Sequence, residues 1–84
     1  MELLEMAEAI MEQIESLLKD DSINKDTRFN AEEAYDAVEH IYNLPEHDEL
    51  DMHHIKHAYG VYVLGKRDPY AEISRMMDSV SYHL

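Results

Sequence analysis

The chain has 84 residues, no cysteine, only two glycines and a formal net charge of -12. That length allows a single domain, residues 1–84, with a small core, since a chain this short buries roughly 60% of its unfolded surface. The missing cysteines exclude a disulfide framework and a thiolate metal site, while 45% hydrophobic residues are too many for a disordered acidic tail.

Residues 2–19 read as an amphipathic helix. Leu3, Ala7, Ile10, Ile14 and Leu17 alternate spacings of four and three, with Leu4, Met11 and Leu18 as flanks. Glu5, Glu8, Glu12 and Glu15 occupy the opposite face. The stretch Asp20 to Asn30 has turn-forming composition and no apolar period, with room for a short helical turn around Ile23. A second helix is predicted over about 31–43, because Asn30 followed by Glu33 matches a capping box. Ala34, Tyr35, Val38, Ile41 and Tyr42 line one side of it, and Glu32, Glu33, Asp36 and Glu39 the other. Pro45 stops this helix, since proline cannot donate to the backbone ladder and disfavours helical geometry at Leu44 before it.

The third segment, about 50–64, places Met52, Ile55, Tyr59, Tyr62 and Val63 on one helical face. Tyr59 to Leu64 is also β-branched and aromatic enough for a buried strand, but a lone strand has no evident partner, so helix is expected. Gly60, Val61 and Leu64 lie off the main stripe, and a small residue on a second apolar face suggests close packing on another helix. Gly65 is the expected C-cap. Asp68 and Pro69 then start a fourth helix over about 69–82, on which Tyr70, Ile73, Met77 and Val80 keep the helical period, continued by Leu84. The expected fold is an all-α bundle of four helices with short connections after the first.

The excess carboxylates dominate the possible chemistry. Residues 1–51 hold sixteen Asp/Glu against three Lys/Arg, whereas residues 52–84 hold three against four. A field of this sign repels nucleic acid and acidic membranes and favours basic partners, including proteins whose own ligand is a polyanion. The plain alternative is a solvated face that keeps a small protein soluble. Yet like charges three or four positions apart cost each helix a few tenths of a kcal/mol per pair, and two helices here carry acid-only faces. Glu5, Glu8, Glu12, Glu15, Glu32, Glu33, Asp36 and Glu39 are therefore the candidate partner-binding residues. Small acidic inhibitors of bacterial viruses, directed at restriction or CRISPR systems, offer an analogy of charge and size with no motif behind it.

His53 and His57 are four apart, a spacing by which one helix presents two imidazoles to a divalent ion. Further ligands would have to come from His47, Asp48 or Glu49, with His54 and Asp51 close by. Surface histidines beside carboxylates are the simpler reading. No Gly-rich phosphate loop or nucleophile elbow is present, and Lys56, Lys66, Arg67 and Arg75 make no large basic patch. Tyr35, Tyr42, Tyr59, Tyr62 and Tyr70 fall at core or rim positions, while Met6, Met52, Met76 and Met77 are candidate adaptable contacts.

These features point to a non-enzymatic, cofactor-free module that occupies a basic surface of another protein, as an inhibitor of the polyanion-mimic kind. Direct binding of nucleic acid or membrane is not expected. A homo-oligomer joined through Gly60, Val61 and Leu64 is the alternative, and a His/carboxylate metal protein a third. The start MELLEM has no basic n-region and no apolar run reaches the ~20 residues needed to cross a bilayer, so the expected location is the cytoplasm.

Overall fold

A computed structural model describes residues 2–65, and all of its regular structure is helical. Three α-helices follow in order: α1 (Leu3–Leu18), α2 (Lys25–Tyr42) and α3 (Glu49–Ala58), the last running into a π-helical turn, Tyr59–Val63. The fold is all-α. The fourth helix expected over 69–82 lies outside the described residues.

α1 is the central element, packed against α2, α3 and the π turn. Its expected stripe of Leu3, Ala7, Ile10, Ile14 and Leu17 is buried, joined by Met6, which is a core residue and not a free contact. α2 contributes mainly small side chains, Ala31, Ala34 and Ala37, with Val38 and Ile41. Alanines project little, so α1 supplies most of the bulk between the helices through Ile10 and Ile14. Fully burying a side chain of that size contributes about 1.5–3 kcal/mol.

α2 begins six residues earlier than the sequence suggests. Asn24, not Asn30, is the cap, and its side chain accepts from the Thr27 amide at 2.7 Å. Asp26 in the first turn complements the helix dipole, and Thr27 is already buried. The connection is correspondingly shorter. Asp20 closes it as a turn, accepting from Ser22 N at 2.9 Å and Ser22 Oγ at 2.6 Å, while Ile23 is buried on that turn and not on a helix. Arg28 then reaches back from α2 to donate to the carbonyl of Leu18 at 3.0 Å, an acceptor left over at the end of α1, and to that of Asp20 in the following turn at 3.2 Å.

α3 opens on a true capping box. Asp51 N donates to Asp48 Oδ1 at 2.8 Å, and Asp48 N donates to Asp51 Oδ2 at 3.0 Å. The segment 58–64 is helical, but not uniformly α. In the π turn Leu64 N bonds to Tyr59 O at 3.1 Å, one residue wider than an α-helical bond. Tyr59, Tyr62 and Val63 meet the core, as their three- and four-residue spacing predicts, while Gly60 and Leu64 are exposed. One expectation is corrected here: Leu64 (φ -85°) caps this turn and Gly65 has no left-handed backbone. Among the described residues a Cβ built on Gly60 meets nothing within 4 Å.

Candidate functional site

The carboxylates follow from the helical period. Once the apolar stripe of α1 turns inward, Glu5, Glu8, Glu12 and Glu15 are left exposed. On α2 the same rule exposes Glu32, Asp36 and Glu39, and leaves Glu33 half-buried. Of the three basic side chains of this half, Lys19 and Lys25 are exposed and offset them only in part. Arg28 is turned onto the carbonyls of Leu18 and Asp20, at the end of α1 and in the turn after it, so its guanidinium serves the fold.

The two acid-bearing helices meet along a seam of tyrosines. The Tyr35 hydroxyl donates to Glu15 Oε1 at 2.9 Å, and the Tyr42 hydroxyl donates to Glu8 Oε1 at 2.8 Å. Each pair lies seven residues from the other, in opposite chain directions, which is the register of an antiparallel helix pair. The rings cover the edge of the core beside Met11 and Leu18. The seam thus fixes the orientation of two of the eight candidate carboxylates. Both phenols titrate above their ordinary value. For Tyr35 the hydrogen bond to Glu15 is the main cause, followed by burial and the charges of Glu15, Glu39 and Asp36. For Tyr42 the bond to Glu8 leads, followed by that residue's charge and burial.

Other acids serve the backbone. Asp48 and Asp51 are engaged in the capping box, with Asp51 buried, so they are fixed at the start of α3. His47, expected as a further metal ligand, is drawn to α2 instead: with its proton on Nε2 it donates to the Ile41 carbonyl at 2.7 Å. His53 and His57 are stacked, ring centroids 6.4 Å apart and planes 22° apart, and His54 meets His53 edge-on at 5.7 Å. Among the described residues no group of three His, Asp or Glu side chains is placed to hold a metal ion.

Of the proposed self-association residues, Leu64 is 62% exposed and Gly60 is open, with Val61 between them in the π turn. Leu50 and Leu4 are exposed as well. Sequence reasoning passed over Phe29, the chain's one phenylalanine, which is 59% exposed on α2. Its three- and four-residue spacing from Asp26, Glu32 and Glu33 is the signal that would have found it.

Fold and surface together define a small all-α protein with an acidic outer face on its first two helices. Family models, curated proteins and solved structures were each compared with the chain, and none matches. No helix among the described residues is long and apolar enough to cross a membrane.

Proposed function

We propose that this chain is a non-enzymatic acidic module that binds a basic surface of another protein and blocks it, in the manner of a polyanion mimic such as a viral anti-defence inhibitor. It acts in the cytoplasm as a four-helix bundle, completed by the segment 69–82. One observation carries the reading: the acids of α1 and α2 face outward while Arg28 is withdrawn onto backbone carbonyls, leaving a strongly acidic face with Lys19 and Lys25 as its exposed cations. The Tyr35–Glu15 and Tyr42–Glu8 bonds support it, because carboxylates already oriented lose less freedom when a cationic partner arrives.

Reversing Glu5, Glu12, Glu32 and Asp36 to Lys changes the net charge by +8, four residues at two charges each, without touching a core position. Association with the partner is expected to slow and to lose its salt dependence, since exposed charge is screened over about 8 Å at physiological ionic strength. Stopped-flow measurement across a salt series checks this. Unchanged rates and slope in the folded variant would refute the proposal.

The exposure of Leu64 and the open Gly60 favour a second reading, a homo-oligomer joined at the π turn. On that reading the chain sediments as a dimer at micromolar concentration, and Leu64→Glu returns it to monomer, because a buried unpaired carboxylate costs more than the contact gives. A wild-type monomer at ~100 micromolar, far above the ~1 micromolar constant equivalent to about 8 kcal/mol, excludes it.

A further inference from the structure

We infer that Phe29 and the carboxylates around it form a seat for an arginine side chain of the basic partner. The inference rests on the electrostatic reading above and names the chemistry of the group bound. Phe29 is 59% exposed in the second turn of α2, so the core does not require it. Helical spacing surrounds it mostly with acid: Asp26 lies three residues before, Glu32 and Glu33 three and four after, and Asp36 one further turn along, against the single Lys25 four residues before. These positions span about 15 Å of helix, from the 1.5 Å rise per residue. The neighbouring Arg28 is engaged by its bonds to the Leu18 and Asp20 carbonyls, which leaves Lys25 as the one other cation of α2's first turns near the ring.

Charge complementarity selects the occupant. The face of an aromatic ring is electron-rich and attracts a cation, and carboxylates at its rim add to that attraction. A guanidinium suits both parts. It stacks flat on the ring, and its planar fork of donors pairs with carboxylates at the edge, which an ammonium cannot do in both ways at once. The same face of a second copy would bring four carboxylates against four. Arg67 and Arg75 of this chain are the internal competitors for the seat, and the emission of Phe29→Trp in the free chain separates them from a partner's arginine.

The test uses the full chain and two synthetic peptides of equal length, one alternating Arg with Ala and the other Lys with Ala. Binding is followed by fluorescence anisotropy. The wild type is expected to prefer the Arg peptide by about twofold, part of the roughly fivefold that a whole exposed cation–aromatic contact supports, since an ammonium makes some of that contact too. Phe29→Leu keeps apolar bulk but removes the ring face; the preference should vanish, with a larger loss of affinity for the Arg peptide than for the Lys peptide. Phe29→Trp, with the stronger ring, should raise it. Glu32→Gln with Glu33→Gln should weaken both peptides. Three results overturn the seat: equal binding of the two peptides by the wild type, an unchanged preference in Phe29→Leu, or blue-shifted emission from Phe29→Trp in the free chain, which would mean that the chain itself or a second copy covers the ring. If instead the carboxamide variant binds both peptides as the wild type does, the electrostatic reading itself fails.

Discussion

Tyr62 and the pair Tyr35 and Tyr42 hold their protons for different reasons, and that difference can be measured. Tyr62 is buried, and burial alone pushes its phenol up to about 12, because the phenolate cannot be solvated inside the bundle. The raised value favours the neutral form in the folded state. Its contribution to stability is therefore complete below the ordinary tyrosine value of 10 and is lost as pH climbs through about 12, since the unfolded chain releases its proton first. Tyr62→Phe cannot ionise, so the variant is expected to lose less stability than the wild type across that window, in urea unfolding followed by circular dichroism. Tyr35 and Tyr42, whose values are raised chiefly by donation to Glu15 and Glu8, leave a residual slope of the same sign in the variant. Identical alkaline profiles for the two proteins would show that the Tyr62 phenol is not held neutral by burial.

At the scale of elements, the start of α2 discriminates between two ways of capping one helix. Asn24 accepts from Thr27 N at 2.7 Å, whereas Asn30 lies within the helix. Asn24→Ala is expected to cost about 1 kcal/mol, the usual loss for a cap, and Asn30→Ala to change stability by less than about 0.5 kcal/mol. Amide exchange at residues 25–30 is the local check, with faster exchange expected only in the first variant. The sequence misled here because Asn30 with Glu33 satisfies a local capping rule, while the signal for Asn24 is tertiary: Ile23 and Thr27 are buried and Arg28 ties the new helix to the old one. α1 was legible from end to end because its period is undisturbed, and α2's end because proline acts locally. The π turn was not, since no local residue pattern marks a widening of the helix by one residue at Tyr59–Val63. The acid faces could be read for the same reason as the stripes opposite them. Their tyrosine partners could not, because Tyr35 with Glu15 and Tyr42 with Glu8 are set by the register between helices.

For the whole molecule, the strongly acidic surface that suits a basic partner also works against the fold. A net charge of -12 on 84 residues repels itself in the compact state more than in the open chain, and the outward acids of α1 and α2 concentrate that repulsion on two packed helices. Salt should relieve it, because the screening length falls from about 8 Å at physiological ionic strength to about 3 Å at 1 M. The expected outcome is a melting temperature that rises with sodium chloride. Salt also acts on apolar burial, so the comparison that matters is with the variant in which Glu5, Glu12, Glu32 and Asp36 are lysines. That variant carries -4 in place of -12, from four reversals of two charges each, and retains the same core. It should be more stable than the wild type at low salt, with a flatter response. Parallel salt curves for the two proteins would mean that the surface charge is too well solvated to strain the fold, and that its acids cost the chain nothing to keep.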